Sequence, residues 1–158
     1  MKVICFFTMK LVIFDWGRTL YDPETGSLFP ETLQTLDYLK SKGYMLAIVA
    51  LATAGASKIK ERLAIIKEGK LVPYFVSVKF DVKNKDKMYS DTLSKFKILP
   101  NETVIVDDRV IRGIMWGNAN GCKTIWVQNG KFSNELPDDK TGVPSHTITS
   151  IKELQTIL

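Results

Sequence analysis

Lys10-Leu-Val-Ile-Phe-Asp15 is a short apolar run that closes on an acid. Thr103-Val-Ile-Val-Asp-Asp108 repeats this pattern and closes on two adjacent acids. A third apolar run, Tyr44-Met-Leu-Ala-Ile-Val49, leads into Ala50-Leu-Ala-Thr-Ala-Gly55. Continuous apolar and β-branched runs of this length are typical of strands that are buried on both faces. The three runs therefore predict the central strands of a parallel sheet.

Helical segments separate these runs. Apolar residues recur there at helical spacing, and Pro30 and Gly43 mark the start and the end of the first such segment. The predicted helices are 30–42, 56–68, 86–96, 111–119 and 151–158, and two further strands are predicted at 74–78 and 124–127. Alternating strands and helices favour a doubly wound parallel sheet with right-handed crossovers, in a three-layer α/β/α arrangement. We expect residues 1–158 to form this single domain.

The composition is that of a soluble globular protein. The chain has 158 residues, of which 45% are hydrophobic, and its 22 Lys and Arg residues against 17 Asp and Glu residues give a net charge of +5. The basic residues are interleaved with acids, so no nucleic-acid partner is expected. The apolar runs are too short to span a membrane, and residues 1–8 are interpreted as a strand lead-in rather than a signal peptide. Cys5 and Cys122 are too few for a disulfide framework, which favours a cytoplasmic location.

The ends of the predicted strands bring acids together. In an open α/β sheet, ligands bind beyond the carboxyl ends of the strands, and Asp15, residues 50–55 and the pair Asp107 and Asp108 are expected there. Three neighbouring carboxylates repel one another and call for a cation, and oxygen ligands favour Mg²⁺. A purely structural alternative is that Asp15 caps a turn and that Asp107 and Asp108 cap the following helix.

Two motifs resemble those of a known family. Phe14-Asp-Trp-Gly-Arg-Thr-Leu20 is similar to the first motif of the haloacid dehalogenase-like hydrolase superfamily, and Val104-Ile-Val-Asp-Asp108 is similar to its fourth motif. Residues 109–127 also follow the family's order of helix, glycine and strand, so the resemblance covers nearly the whole chain. It implies a Mg²⁺-dependent phosphatase that works through an aspartyl-phosphate intermediate.

The resemblance also implies roles for the acids. Asp15 would be the nucleophile and, with the carboxylate of Asp108 and the main-chain carbonyl of Gly17, would hold the metal ion. Asp107 would be either a further metal ligand or a hydrogen-bond acceptor that supports the ligands without binding the ion itself. A carboxylate that attacks a phosphoryl group needs cationic partners, because two anions must come together.

The cationic and hydroxyl groups of the site are expected in other segments. The family's third motif places a lysine just before a helix, which makes Lys85 the first candidate and Lys83 the second. The second motif normally ends in Ser or Thr, but Ala50 occupies that position here and Thr53 is the nearest hydroxyl. Thr53 is therefore the candidate for catalysis and for phosphate binding. Arg18, inside the first motif, is a further candidate for substrate binding.

Two departures from the family pattern bear on the reaction. Gly17 stands where phosphatases of the family carry a second Asp, which protonates the leaving oxygen and later activates water. Dephosphorylation is therefore expected to be slow unless the leaving group is good or another group substitutes. In addition, residues 21–29 and 55–83 are too short to hold a cap domain. An open site favours a macromolecular or bulky phosphorylated substrate, or a homo-oligomer whose neighbour covers the site.

Two other functions are compatible with these residues. Gly17 and Ala50 also fit a catalytically weak or inactive member of the fold that binds a phosphorylated ligand or a protein partner. A phosphorylation-responsive receiver domain likewise uses an acid pair, a separate acid, a hydroxyl and a lysine. The acid pair of a receiver ends its first strand, however, whereas Asp107 and Asp108 come late in this chain, which argues against a receiver.

Overall fold

The structure is a computed structural model that describes residues 8–158. Cys5 and all of the predicted strand lead-in except Thr8 lie outside the described residues. The amide of Lys10 donates to the carbonyl of Glu102 at 2.8 Å, and the two side chains form an ion pair at 2.7 Å, which fixes the chain where the sheet begins. Between residues 8 and 158, no helix combines the length and the apolar character that crossing a bilayer requires.

A six-stranded parallel sheet forms the centre of the structure. The strands between residues 8 and 158 are β1 (Leu11–Phe14), β2 (Tyr21–Asp22), β3 (Ser27–Leu28), β4 (Met45–Leu51), β5 (Ser77–Asp81), β6 (Thr103–Asp107), β7 (Lys123–Val127) and β8 (His146–Ile148). β2 and β3 form a separate hairpin, and the order across the sheet is β5-β4-β1-β6-β7-β8 with all neighbours parallel. β1, β4 and β6 lie next to one another and are almost wholly buried, as their apolar composition predicts.

Helices cover both faces of the sheet. They are α1 (Thr32–Ser41), α2 (Ala56–Glu68), α3 (Lys85–Phe96), α4 (Met115–Asn120) and α5 (Leu154–Ile157). α1, α2 and α5 pack on the face that carries Val12 and Phe14, where Leu36 of α1 is fully buried. α3 and α4 pack on the opposite face, against Leu11 and Ile13. This arrangement confirms the predicted doubly wound, three-layer α/β/α fold.

One predicted strand is displaced along the chain. The strand expected at 74–78 is β5, which begins three residues later and continues to Asp81. Pro73 has no amide hydrogen to donate to a sheet ladder, and it lies in a 3-10 turn at Val72–Tyr74 that precedes the strand. As a result, β4 and β5 run side by side to Leu51 and Asp81, beyond the predicted ends of both strands.

The predicted helix at 111–119 is divided into two parts. A π-helical turn occupies Val110–Ile114, and α4 follows it. Such turns are rare and frequently occur at functional sites; this one comes directly after the acid pair and points the amide of Gly113 toward Asp107. The C-terminal helix predicted at 151–158 likewise consists of a 3-10 turn at Ile151–Glu153 followed by α5.

β8 and the hairpin of β2 and β3 have no counterpart among the predicted elements. β8 is an edge strand of three residues, two of them exposed, so it lacks the apolar pattern that identifies a buried strand. The hairpin fills the interval between β1 and α1, and α2 with one short turn fills the interval between β4 and β5. In the part of the chain that the structure describes, neither interval holds a cap domain.

Candidate functional site

Asp15 and Asp107 lie side by side at the carboxyl ends of neighbouring strands. β1 and β6 pair with Phe14 opposite Val106, so the acids that follow these two residues are adjacent. The amide of Asp15 donates to the carbonyl of Val106 at 2.9 Å, which extends the ladder by one residue. Asp108 completes the group, because one carboxylate oxygen from each of the three acids lies within 4.8 Å of the others. The predicted convergence of these acids is therefore observed.

Lys85 is the cation that lies between two of these acids. It is the first residue of α3, and its side chain is only 4% exposed. Its Nζ donates to Asp15 Oδ1 at 2.7 Å and to Asp107 Oδ2 at 2.6 Å. Burial opposes the charged ammonium, but the fields of Asp107 and Asp15 outweigh it, so the pKa of Lys85 lies well above its usual value. Lys85 is therefore a fixed positive charge within the acid cluster.

Asp107 is fully buried and accepts hydrogen bonds from four groups. Its Oδ1 accepts from the amide of Arg109 at 2.9 Å, and its Oδ2 accepts from the amide of Gly113 at 3.0 Å. Oδ2 also accepts from Lys85 and, at 3.4 Å, from the Tyr89 hydroxyl. A side chain at Gly113 would disrupt this packing, because its Cβ would lie 2.3 Å from Asp107 Oδ2. Of the two roles expected for Asp107, this environment favours that of a hydrogen-bond acceptor that supports neighbouring groups over that of a metal ligand.

Asp108 has a different environment from its neighbour. It is buried, and its Oδ2 has no hydrogen-bond partner among residues 8–158. The indole Nε1 of Trp126 donates to the Asp108 carbonyl at 3.1 Å, which fixes the backbone and leaves the carboxylate unpaired. Burial, together with the charges of Asp15 and Asp107, raises the pKa of Asp108 to about 9. A bound cation would relieve the cost of this buried, unpaired carboxylate.

Asp15 is the most accessible of the three acids, with 12% of its side chain exposed. Lys85 holds its Oδ1, and its Oδ2 accepts no hydrogen bond from the described part of the chain. Burial raises the pKa of Asp15 above its usual value, although the charge of Lys85 opposes that rise. One oxygen of this carboxylate is thus fixed by an ammonium group, and the other has no hydrogen-bond partner among the described residues.

A cavity of about 230 Å³ contains Asp15 and Asp108 in its lining. The remaining lining residues come from the loop after β1, from the β4–α2 segment, from the segment after β6 and from the loop after β7. They are Gly17, Arg18, Leu51, Thr53, Arg62, Arg109, Arg112, Lys131 and Phe132. Two acids and five basic side chains therefore share one cavity, an arrangement that suits a cation and an anionic ligand bound next to each other.

The structure brings most of the predicted site residues to this cavity. Gly17, Arg18 and Thr53 all line it, and Thr53 is exposed in the loop between β4 and α2. Ala50 is buried within β4, so no hydroxyl group ends that strand. Lys83 is not brought to the site: it is exposed and lies two residues before α3. The physical reason is that α3 begins only at the second lysine of this segment, and that lysine reaches the acids.

Arg62 is a site residue that none of the sequence motifs indicates. It lies in α2, and its Nη1 donates to the carbonyl of Leu51 at the end of β4, at 2.5 Å. Its guanidinium also packs over the ring of Phe80, 5.7 Å from the ring centroid. Burial lowers the pKa of Arg62, while the nearby charge of Asp15 acts in the opposite direction. Only the packing of α2 against β4 brings this arginine to the cavity.

A second group of basic residues, of which the sequence motifs indicate only Arg18, is assembled from three distant segments. We call Arg18, Arg109, Arg112 and Lys131 the basic wall. Phe132 lies in a 3-10 turn after β7, and the centroid of its ring is 3.7 Å from the guanidinium carbon of Arg109 and 5.3 Å from that of Arg18. Glu135 accepts from Arg109 Nε at 2.8 Å. No spacing along the chain signals this group, since the loop after β7 has no motif.

The profile of the haloacid dehalogenase-like hydrolase family matches residues 8–127. Two similar curated proteins are glyceraldehyde 3-phosphate phosphatases: the one from Pyrococcus furiosus is 28% identical over 136 residues, and the one from Methanopyrus kandleri is 26% identical over 132 residues. These alignments cover 82% and 80% of this chain but 53% and 54% of the relatives. The chain therefore spans about half the length of the curated relatives it matches.

A solved structure shares the fold at low sequence identity. The crystal structure of a HAD phosphatase from Thermococcus onnurineus superposes with a TM-score of 0.71 at 18% identity, covering 94% of this chain and 97% of that chain. The family match is the stronger result, because it extends over most of the sequence and includes both strand ends that carry the acids. The chain belongs to the haloacid dehalogenase-like hydrolase family.

Proposed function

We propose that this protein is a Mg²⁺-dependent phosphatase that uses Asp15 as its nucleophile and forms an aspartyl-phosphate intermediate. The observation that carries the proposal is the position of Asp15 at the end of β1, held by Lys85 and lining a cavity with five basic side chains. Family membership and the phosphatase names of the two curated relatives support the same reaction class. The substrate of those relatives is not carried over, because the chain spans about half of their length.

The acid cluster fits a magnesium ion. Asp108 Oδ2 is buried without a partner in the described residues, and one oxygen from each acid lies within 4.8 Å of the others. Carboxylate and carbonyl oxygens are the ligands that Mg²⁺ prefers. Asp15, Asp108 and the carbonyl of Gly17 would hold the ion, and Asp107 would support them, since its oxygens already accept four donors. When bound, the ion would offset the negative charge that gathers as a phosphate approaches the nucleophile.

The reaction follows from the state of the Asp15 carboxylate. Lys85 fixes Oδ1 at 2.7 Å, and its charge favours the ionised carboxylate against the rise in the pKa of Asp15 that burial causes. Oδ2 is therefore the oxygen that attacks phosphorus. The bond between phosphorus and the ester oxygen breaks, and the phosphoryl group is transferred to Asp15. Water then attacks phosphorus, breaks its bond to the Asp15 oxygen, releases phosphate and regenerates the carboxylate.

Protonation of the leaving oxygen limits this reaction. Gly17 carries no side chain, and within residues 8–158 the only acids that line the cavity are Asp15 and Asp108, which are the proposed nucleophile and metal ligand. A positioned general acid or base typically contributes about 10²–10⁴-fold in rate, and this contribution is missing here. The proposed enzyme therefore works best on esters with good leaving groups, and it hydrolyses its aspartyl-phosphate slowly.

Thr53 and Arg62 are the proposed contacts for the transferred phosphoryl group. Ala50 has no hydroxyl, whereas Thr53 and Arg62 both line the cavity near the end of β4. Arg62 is anchored to the carbonyl of Leu51, and a guanidinium can donate two parallel hydrogen bonds to phosphate oxygens. Arg62 would thus replace the hydroxyl that position 50 lacks. Arg18, in the loop after β1, is a further proposed contact.

Other properties are proposed on narrower grounds. The continuous sheet supports a single domain over residues 1–158, and the buried free thiol of Cys122 supports a cytoplasmic location. Among the described residues, the loops around the cavity carry no cap domain. This open arrangement favours a phosphorylated substrate whose remainder, bulky or macromolecular, extends beyond the site. A homo-oligomer in which a neighbour covers the cavity is a further possibility that this arrangement permits, and nucleic acid is not a proposed partner.

Hydrolysis of 4-nitrophenyl phosphate tests the proposal, because its leaving group needs little protonation. We expect turnover with Mg²⁺ and none with EDTA. Asp15→Asn is expected to lower kcat at least about ten-thousandfold, whereas Asp139→Asn, which changes an exposed acid outside the cavity, is the matched control. Turnover that persists in Asp15→Asn, or that needs no metal, contradicts the proposal. Complete lack of turnover in the native protein also contradicts it, and favours a non-catalytic binding protein.

A further inference from the structure

We infer that the substrate carries a second anionic group close to its phosphate, bound by Arg112 and Lys131 of the basic wall. The inference rests on the proposed function and narrows the substrate class to phosphate monoesters that also bear a carboxylate or a second phosphate. The juxtaposition that carries it is the concentration of unpaired cations in the lining of the cavity that contains Asp15 and Asp108.

Cations outnumber acids in this cavity. Five basic side chains and two acids line it, and within residues 8–158 only one of the five cations has a carboxylate partner, namely Arg109 with Glu135. A magnesium ion and a phosphate dianion would cancel each other, so a single phosphate leaves the excess positive charge in place. Unpaired like charges in a small cavity repel one another, and a second anion removes this repulsion.

The neighbouring cleft adds no unpaired charge of its own among the described residues. The cavity shares Gly17, Arg18 and Arg62 with a neighbouring cleft of about 210 Å³. Beyond the shared residues, the charged side chains of that cleft are Lys58 and Glu61, which form an ion pair at 2.9 Å, so among residues 8–158 the cleft adds no unpaired cation. The neutral remainder of a substrate suits this cleft, whereas a second anion is attracted to the basic wall.

The transferred phosphoryl group has its own partners. Arg62 and Thr53 line the cavity from the β4–α2 side, which leaves Arg112 and Lys131 without a function in the proposed reaction. A cavity of about 230 Å³ is smaller than most ligand pockets, which hold about 300–1,000 Å³. It has room for two anionic groups with few atoms between them, so the second anion must be close to the phosphate along the substrate.

The segments that carry these two cations are joined by Glu135. Its Oε2 accepts from Arg109 Nε at 2.8 Å, and its Oε1 accepts from the amide of Ile111 at 2.9 Å. These bonds tie the loop after β7, which carries Lys131, to the π-helical turn that carries Arg112. The basic wall is therefore a connected structure and not a chance meeting of surface side chains.

Arg18 adds an independent sign of a missing ligand. Its Nε is buried and has no hydrogen-bond partner among the residues that the structure describes. Its backbone has a φ of +60°, which is uncommon for a residue other than glycine and occurs preferentially at functional sites. An anion bound along the basic wall would satisfy the guanidinium group that this conformation presents.

Three phosphate monoesters of similar size test the inference: glycerol 3-phosphate, 3-phosphoglycerate and 1,3-propanediol bisphosphate. Rates are measured with Mg²⁺ at one fixed ionic strength. We expect kcat/KM to be at least about tenfold higher for one or both doubly anionic compounds than for glycerol 3-phosphate. The preferred compound shows whether the second anion is a carboxylate or a phosphate. Equal kcat/KM for all three compounds overturns the inference.

Two variants locate the second anion site. Arg112→Ala and Lys131→Ala are each expected to lower kcat/KM for the doubly anionic compounds more than for glycerol 3-phosphate, and Arg112→Lys is expected to restore part of the loss. The matched control is Lys60→Ala, an exposed residue of α2 that does not line the cavity. A preference that survives the double variant of Arg112 and Lys131 overturns the assignment to the basic wall.

Binding to the Asp15→Asn variant separates this inference from the proposed reaction. Calorimetric titration of the same three compounds in the presence of Mg²⁺ is expected to give Kd values with the same order of preference, lost when Arg112 and Lys131 are replaced. If the native chain hydrolyses neither these compounds nor 4-nitrophenyl phosphate but the binding preference remains, the proposed phosphatase activity fails and the second anion site stands. If turnover occurs without any binding preference, the inference fails and the phosphatase stands.

Discussion

The buried support of the acid cluster pairs its charged groups with one another, whereas most cations of the basic wall form no ion pair among residues 8–158. The support consists of Lys85, Tyr89, Asp107 and Gly113, whose polar atoms bond one another at 2.6 to 3.4 Å. Among residues 8–158, three of the four cations in the basic wall form no ion pair, and Asp108 keeps one buried oxygen without a partner. Buried polar groups in proteins are normally paired. The paired region therefore maintains the geometry of the site, and the unpaired region is available for ligands.

Breaking the support at Lys85 is expected to have the largest effect. Lys85→Met leaves Asp15 and Asp107 buried next to each other without a counter-charge, which should lower the free energy of unfolding by about 3–5 kcal/mol and abolish turnover. Urea denaturation followed by circular dichroism measures the loss. The control Lys83→Met alters an exposed lysine and is expected to leave the free energy of unfolding nearly unchanged. Native stability in Lys85→Met would mean that this ion pair does not support the site.

Adding an acid to the cavity should have the next largest effect, and it should increase the rate. A Cβ at Gly17 would meet no heavy atom within 4 Å, so a side chain fits there. Gly17→Asp supplies the missing general acid and base, and we expect kcat for alkyl phosphates to rise by about a hundredfold. Gly17→Asn has the same shape without the titrating group. Equal rates in the two variants would show that proton transfer does not limit the reaction.

The two adjacent acids allow a direct comparison of the paired and unpaired regions. Asp107→Asn removes one of the two carboxylates that accept from Lys85, and it should lower the free energy of unfolding by about 1–3 kcal/mol. Asp108→Asn removes a carboxylate that is costly to bury, so it should stabilise the metal-free protein at neutral pH. Thermal unfolding in EDTA measures both variants. A decrease of similar size in both would contradict the distinction between the two acids.

Magnesium binding should show a smaller, pH-dependent effect. Asp108 has a pKa of about 9 instead of 3.8, so it keeps a proton at neutral pH that the unfolded chain has lost. The free energy of unfolding of the metal-free protein therefore includes the full contribution of Asp108 at low pH, and this contribution is lost as the pH rises toward 9. Mg²⁺ must displace this proton, so its affinity rises over the same pH interval.

Calorimetry in two buffers of different ionisation enthalpy measures the proton that Mg²⁺ displaces. We expect about one proton released per ion at neutral pH and fewer near pH 9. An affinity for Mg²⁺ that is constant between neutral pH and pH 9, with no proton released, would show that Asp108 is already ionised in the metal-free protein.

The sheet and the acid cluster could be predicted because they depend on local patterns. Each apolar run that closes on an acid marks a buried strand and places its acid at the carboxyl end, where parallel strands meet. The register of β1 and β6 then brings Asp15 next to Asp107. Lys85 was also predictable, since it precedes a helix in the family's third motif. What these elements share is that neighbouring residues in the chain determine them.

The different roles of Asp107 and Asp108 and the assembly of the basic wall could not be predicted from such patterns. The two acids are neighbours in the sequence, and they are distinguished by the tertiary contacts of Asp107 with Lys85 and with the π-helical turn that carries Gly113. Arg62 and Lys131 reach the cavity through the packing of a helix and the path of a loop, neither of which leaves a periodic signal. Pro73 delays β5, because a residue without an amide hydrogen does not fit the sheet ladder.

Direct detection of the phosphorylated chain tests the central claim, which is that Asp15 carries the phosphoryl group. Since Gly17 supplies no base to activate water, the intermediate should accumulate and give a burst of product. The native chain is mixed with Mg²⁺ and 4-nitrophenyl phosphate, quenched within the first turnover and mapped by peptide mass spectrometry. We predict one phosphoryl group per chain on Asp15, and none in EDTA or in Asp15→Asn. A phosphoryl group on another residue, or turnover without any phosphorylated chain, would contradict the account.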